Sequence, residues 1–305
     1  MLQKLYKSEG DHTMSWTFAY DSPIAITALL KEEELSMSKK FGQNFLISRS
    51  VREKIVALMD VQQGQTVWEV GPGIGAITSL LLEKGTSVTA FEIDHGFCRI
   101  LSEQAFADEA SFRLIPGDAL KTLLQTLGQE GAPDRLCGNL PYNVGSVVIA
   151  KVLESNYRPP VMVFTLQKEV VDRLCAAPQS KDWSSFSMLA QMDYEVKPAF
   201  SINSGSFYPP PKVTSSTVVF TLRRQSLVPP HLRQIFLLVI RDLFAQRRKT
   251  VKNNLLSGKI ASQVGKEGVA ELLMRAGVDS SKRAEALVWS DFIALSESLS
   301  SYQAK

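Results

Sequence analysis

The chain has 305 residues, 45% of them hydrophobic and 21% charged, which supplies a sizeable core and argues against global disorder. Lys and Arg number 34 against 31 Asp and Glu, a net charge of +3 that does not by itself point to nucleic acid. Cys98, Cys137 and Cys175 form no CxxC pair and the three histidines lack metal-ligand spacing, so reduced thiols and no metal site are expected. Apolar runs such as Phe236 to Ile240 fall far short of the roughly 18 residues of a membrane span. Glu9, Asp11 and His12 break up the first residues, so neither a signal peptide nor a membrane partner is expected, and a cytoplasmic location follows.

Residues 1–37 mix Lys, Glu, Ser and single aromatics without sustained periodicity; they read as an N-terminal extension whose pattern gives no basis for stable order. Val51, Ile55, Leu58 and Met59 then mark a helical stripe. From Thr66 onward strands and helices alternate. Thr66–Val70, Ser87–Ile93, Phe112–Ile115, Arg135–Gly138 and Val161–Leu166 read as strands. Ile77–Glu83, Phe97–Phe106, Ile149–Leu153 and Gln167–Leu174 read as helical, and Thr214–Leu222 as a late strand. This alternation predicts a parallel, doubly wound α/β sheet. Beyond Leu222 the composition changes. Pro229-Pro230 reads as a linker, and Phe236, Val239, Ile240, Leu243 and Phe244 fall on one face of an amphipathic helix. Gly277 reads as a helix end. The expected domains are 38–222 for the sheet and 223–305 for a small all-α domain.

Gly71-Pro72-Gly73-Ile74-Gly75 lies between a predicted strand and a predicted helix, where glycines permit a sharp turn and close approach of a ligand. Glu92 ends the second strand, a place from which a carboxylate accepts ribose hydroxyls. Asp118, after the third strand, suits an adenine amino group, though a helix N-cap explains it equally well. The glycine pattern also fits a nicotinamide dinucleotide site. The Tyr-x3-Lys pair that short-chain enzymes of that kind need is absent: Tyr208 and Lys212 have the spacing, but three prolines fill the gap.

Asn139-Leu140-Pro141-Tyr142 follows the fourth strand, where an open α/β sheet places its chemistry. An adenine N6 amine is a poor nucleophile because its lone pair is delocalised into the ring. Acceptors on both N–H bonds draw it toward a tetrahedral, reactive state. The Asn139 side-chain oxygen and the Leu140 carbonyl provide two, Pro141 stiffens the turn, and Tyr142 offers a face on which a flipped base stacks.

With these motifs in order, the chain resembles the ribosomal RNA adenine N6,N6-dimethyltransferase family, in its small-subunit (16S) branch, over roughly residues 38–300. Lys39 to Leu46 resembles the opening motif and Glu69–Gly75 the cofactor loop. Phe91–Asp94 resembles the ribose segment, Gly117–Ala119 the adenine segment and Gly138–Asn143 the catalytic motif. Phe207–Ser215 resembles the late Phe-Pro motif and Gln246–Thr250 a basic signature. Two places depart from the pattern: Val144-Gly145-Ser146 after Asn143, and Trp183 where a Tyr is usual. The resemblance implies a Rossmann-like sheet using S-adenosylmethionine, with Asn44, Leu46, Gly71, Gly73, Glu92, Asp118 and Asn139 lining the cofactor site. It implies that Tyr142 and Phe207 hold the adenine. The reaction implied is dimethylation of two adjacent adenines near the 3′ end of 16S rRNA in a pre-30S particle, by a monomer, coupled to small-subunit biogenesis. Two alternatives stay open: a large-subunit (23S) methylase of the antibiotic-resistance type, and an assembly factor whose binding role dominates.

Charge is unevenly spread. Residues 223–252 carry eight Lys/Arg and one acid, a local +7, and the remainder sums to −4. Arg247, Arg248, Lys249 and Lys252 cluster after the amphipathic helix, where they either complement its dipole or meet RNA phosphates. Beside a base-modifying site the second reading is preferred, with Lys168, Arg173, Lys212, Arg223 and Arg224 extending the track and Lys39 and Lys40 adding to it.

Overall fold

The computed structural model describes residues 16–35, 44–142 and 144–303. In chain order its elements are α1 (Pro23–Glu32), β1 (Phe45–Leu46), α2 (Arg49–Met59), β2 (Thr66–Val70), α3 (Thr78–Glu83), β3 (Ser87–Glu92), α4 (His95–Ile100) and β4 (Phe112–Pro116). There follow α5 (Ala119–Glu130), β5 (Arg135–Asn139), α6 (Gly145–Glu154), β6 (Val161–Gln167), α7 (Lys168–Leu174), α8 (Ser185–Gln191), β7 (Tyr194–Ile202), β8 (Phe207–Tyr208) and β9 (Ser215–Leu222). The last helices are α9 (Arg233–Leu243), α10 (Val251–Ser257), α11 (Lys259–Ala276) and α12 (Trp289–Gln303).

Contacts divide the chain into two compact units, Met1–Gln167 with Phe200–Val219, and Lys168–Ala199 with Phe220–Lys305. A single cut after residue 222 therefore does not describe the fold. The segment Lys168–Ala199 groups with the C-terminal helices because its large apolar side chains are spent there. Trp183, which stands where the family usually has Tyr, is fully buried and meets the Trp289 ring edge-on at 5.9 Å.

In the first unit the sheet runs β4-β3-β2-β5-β6-β9-β7, the last two strands crossing the division between units. The β2–β3, β2–β5, β3–β4 and β5–β6 pairs are all parallel, with Val67 opposite both Val88 and Arg135. Strands covered on both faces need apolar side chains on both, and Met162 to Leu166 of β6 are all buried. Strand order reverses between β2 and β5, so the chain leaves the sheet in opposite directions there and opens a crevice at the strand ends.

The described part of the supposed extension is folded. Ser22 caps α1 through Ala25 N (3.2 Å) with Pro23 in its first turn, and Ile26, Leu29 and Leu30 are buried. Their spacing makes one short apolar face, which joins Phe45, Ile74, Phe97 and Ile100 in a cluster separate from the main core. Four buried residues in twenty, Tyr20, Ile26, Leu29 and Leu30, are too few to stand out as sustained periodicity, which is why the sequence pattern did not reveal the helix.

In the second unit Phe236, Val239, Ile240 and Leu243 of the stripe read on α9 are buried and Phe244, just past its end, is half-buried; Phe236 stacks on Trp289 at 5.8 Å. Pro229-Pro230, expected to be a linker, instead starts a 3-10 turn (Pro230–Leu232) that feeds directly into α9. Asp242, the one acid of the basic stretch, is buried and accepts from Ile260 N (2.8 Å) at the start of α11. Gly277 ends α11 in the left-handed region (φ 65°), as its position predicts. Among the described residues no helix is long and apolar enough to cross a membrane.

Candidate active site

The glycine turn joins β2 to α3 with φ of 70°, 59° and 88° at Gly71, Gly73 and Gly75, values that side chains rarely adopt. A Cβ at Gly75 would lie 2.7 Å from the Phe106 ring, so the turn is held against the core as well as bent. Glu92, at the end of the neighbouring β3, accepts from Gly73 N (3.1 Å) through one carboxylate oxygen and from Ile93 N and Asp94 N (2.9 Å each) through the other. Burial pushes its carboxyl up to about 7, even though these three N–H groups favour the ionised form. Glu69 on β2 is likewise buried and pushed up to about 7 by desolvation. The Thr78 hydroxyl donating to it (2.6 Å) works in the opposite direction.

Asp118 is the N-cap the sequence allowed, and its place also keeps the ligand reading open. One oxygen accepts from Leu120 N (2.9 Å) as the N-cap of α5, and the residue also faces the crevice. Asn139 closes β5, and its amide nitrogen donates to the Asn44 carbonyl (3.0 Å), which leaves Oδ1 as an acceptor. Gly138 before it packs so closely that a Cβ would lie 2.6 Å from the Val70 carbonyl. Leu140 N donates to Thr165 O (3.2 Å), and the Pro141 carbonyl accepts from Val144 N and Gly145 N, turning the chain into α6. Gly145, one of the residues that departs from the family pattern, has no room for a Cβ, which would sit 2.6 Å from Leu166. Asn143 lies outside the described residues.

Tyr142 is held by a hydrogen bond between its hydroxyl and Ser215 Oγ, and burial raises its pKa. Phe207 is buried on β8, which pairs antiparallel with β1 so that Leu46 faces Phe207 and Phe45 faces Tyr208. This pairing brings Asn44 and Leu46 to Phe207 across some 160 residues of sequence.

Asn44, Leu46, Gly71, Gly73, Glu92, Asp118, Asn139, Leu140, Pro141, Tyr142 and Phe207 all line one cavity of about 350 Å3. Its wall also includes Glu69 and Ile93, which lie within the quoted motifs without an assigned role, and Phe97 and Val148, which lie outside them. Ser215 closes the late Phe-Pro motif, but its pairing with Tyr142 joins residues 73 apart and is visible only in the fold.

The cationic candidates divide by their partners. Lys39 and Lys40 lie outside the described residues. Lys212 is exposed in the first unit. In the second unit Lys168 pairs with Asp172 (2.7 Å) and Arg223 Nε donates to Gln191 O (3.1 Å). Arg247 donates to Lys181 O (2.6 Å) and lies 3.5 Å from Glu285. Arg173, Arg224, Arg248 and Lys252 are exposed and Lys249 is half-buried. Thr250 bridges to Arg283, and Val251 N donates to Lys282 O (2.7 Å). These contacts bring two further cations beside the basic signature.

A cofactor turn and an Asn-Leu-Pro-Tyr turn at adjacent strand ends of such a sheet define a Rossmann-like methyltransferase that uses S-adenosylmethionine. The fold is matched by a solved dimethyladenosine transferase from Plasmodium falciparum, with a TM-score of 0.68 and 21% identity over 81% of this chain and 94% of that one. Within that class the sequence is specific: the model of the ribosomal RNA adenine dimethylase family matches residues 34–300, and the chain belongs to that family. A curated relative from Treponema denticola, named ribosomal RNA small subunit methyltransferase A, is 40% identical over 280 residues, covering 91% of this chain and 94% of its own. One of the same name from Borreliella burgdorferi is 36% identical over 289 residues, covering 95% and 98%.

Proposed function

We propose that this protein transfers methyl groups from S-adenosylmethionine to the N6 amines of two adjacent adenines near the 3′ end of small-subunit (16S) rRNA. The family and the small-subunit naming of its relatives support the substrate. The observation that carries the chemistry is the Asn139 amide: with its nitrogen committed to the Asn44 carbonyl, its oxygen is the acceptor offered to the cavity.

The residues present suit the cofactor. Glu92 offers carboxylate oxygens to ribose hydroxyls, Asp118 has an oxygen beyond the one that caps α5, and the glycine turn admits a close ligand. When bound, S-adenosylmethionine supplies a methyl group on a positively charged sulfur. Asn139 Oδ1 and the Leu140 carbonyl accept from the two N–H bonds of the adenine amine and localise its lone pair, acting on charge that develops during transfer. Tyr142, fixed through Ser215, and Phe207 hold the base between aromatic faces once it leaves its stack. No strong general base is needed, because the methylated amine loses its proton readily to water. The exposed cations of the second unit suit rRNA phosphates within a pre-30S particle, on which a monomer acts in the cytoplasm.

Mass spectrometry of small-subunit particles methylated in vitro tests this reading. Two neighbouring dimethyladenines near the 3′ end of the small-subunit RNA are expected. Methylation confined to large-subunit RNA would overturn it, and subunit maturation fully restored by a chain unable to transfer methyl groups would make binding the principal role.

A further inference from the structure

Residues 16–35 belong to none of the motifs that carry the chemistry, yet α1 is tied to the site by its own contacts. Its buried face lies against Phe45 of β1, Ile74 of the glycine turn and Phe97 and Ile100 near α4, with Tyr208 at the edge of the same cluster. Thr27 Oγ1 donates to Pro23 O (2.7 Å) within the helix and lies 3.0 Å from the Tyr208 hydroxyl. Because the Thr27 proton is committed to Pro23, the Tyr208 hydroxyl is the donor and Thr27 the acceptor.

Tyr208 belongs to the β1–β8 ribbon, which among the described residues has two residues on each side, Phe45 facing Tyr208 and Leu46 facing Phe207. A two-stranded ribbon of that length does not hold its own geometry and needs support from outside. Two site groups depend on it. Phe207 lies on one strand, and the Asn44 carbonyl that orients Asn139 immediately precedes the other. The helix is anchored at both ends. Asp21 forms an ion pair with Arg52 of α2. Glu33 binds Arg99 of α4 (3.1 Å) and Gln104 (2.5 Å), and Leu35 occupies the space a Cβ would take at Gly96. A helix fixed to α2 and α4 is a rigid reference for the ribbon.

We propose that α1 is a positioning element for methyl transfer, and that the Tyr208–Thr27 hydrogen bond latches the β1–β8 ribbon so that Phe207 and the Asn44–Asn139 pair keep their places. This rests on the methyl-transfer reading above. Thr27 and Tyr208 are positioning residues that act through the ribbon, and the cofactor contacts of Glu92 and Asp118 do not pass through them.

Single-turnover methyl transfer to small-subunit particles, at saturating S-adenosylmethionine, tests the proposal in the full chain. Thr27→Val keeps the side-chain shape without the hydroxyl, and Tyr208→Phe removes the donor. Each is expected to slow transfer by about three- to tenfold, the worth of one hydrogen bond. The double variant should be no slower than the slower single one, because both remove the same bond. Thr27→Ser should keep the wild-type rate, cofactor affinity should stay near wild type throughout, and Tm should fall by no more than about 2–4 °C, the share of one hydrogen bond. An active wild type with an equally active Thr27→Val overturns this inference alone, as does a Thr27→Ser chain as slow as Thr27→Val. Loss of cofactor affinity in step with the rate, or a Tm lowered well beyond about 2–4 °C, also overturns it, since that reports a merely structural role. A wild-type chain that transfers no methyl group to small-subunit particles overturns the functional reading first.

Discussion

Replacing Asn139 by Ala is expected to remove methyl transfer while leaving the cofactor in place. The side chain does two things at once: its nitrogen is bound to the Asn44 carbonyl at 3.0 Å, and its oxygen is an acceptor at the cavity wall. Losing one preorganised partner of a developing charge costs about 3–4 kcal/mol, a fall of roughly 10²–10³ in rate. The lost bond to Asn44 is worth about 1 kcal/mol of stability, or a Tm lowered by about 2–4 °C. Cofactor affinity should change little, because Glu92 and Asp118 are held by Gly73, Ile93, Asp94 and Leu120 and not by Asn139. Asn139→Asp is a sharper probe. It keeps an acceptor but sets a second oxygen against the Asn44 carbonyl, so rate should fall as far and Tm further. Single-turnover transfer of tritiated methyl groups gives the rate, titration calorimetry the cofactor affinity, and a melting curve the stability. An Asn139→Ala chain within about threefold of the wild-type rate, or one that loses cofactor affinity by the same factor as rate, refutes the role assigned here.

Three other outcomes follow from the same site and from the second unit. Glu92 and Glu69 both titrate near 7 when folded, against 4.5 ordinarily. Between about 4.5 and 7 the folded chain therefore holds protons that the unfolded chain has released, and stability should fall as pH rises through that window and level off above it. S-adenosylmethionine affinity should move the opposite way, rising about tenfold per ionising carboxyl between about pH 6 and 8. Glu92→Gln should remove its share of the rise; an affinity flat with pH in calorimetry contradicts this. Ser215→Ala frees the Tyr142 hydroxyl and should raise KM for the RNA particle by about three- to tenfold with cofactor affinity unchanged, whereas Ser215→Thr restores it. Arg248→Ala should weaken RNA binding and lower its salt slope by about one, without changing Tm. Arg247→Ala should in addition lower Tm, since that side chain binds Lys181 O and Glu285; equal Tm for both variants would argue against the distinction.

The strands from β2 to β6 were legible to within a residue or two because each is an apolar run bounded by turn residues. The glycine turn was legible because positive φ at three places admits little else. The short ribbon was not, since two residues per strand carry no periodicity. Nor was α1, whose apolar patch Ile24–Leu30 is too short to show a sustained helical period. The division of the chain was misplaced for a similar reason: the sequence shows where composition changes, after Leu222, but Lys168–Ala199 joins the helical unit through Trp183, which only packing reveals.

Local pattern therefore determined the class of sheet, the order of its strands along the chain, and part of the cavity wall (Gly71, Gly73, Glu92, Asp118 and Asn139 to Tyr142), while Asn44, Leu46 and Phe207 came from the family resemblance. Those properties depend on neighbours in sequence, through turn geometry, capping and the alternation of apolar positions. Tertiary structure decided what each residue does there: that Asn44 orients Asn139, that Ser215 holds Tyr142, that Arg247 is engaged while Arg248 is exposed, and that α1 supports the site. Each of these joins groups far apart in sequence. Their hydrogen bonds form only after the sheet has brought the strand ends together, so no local rule contains them.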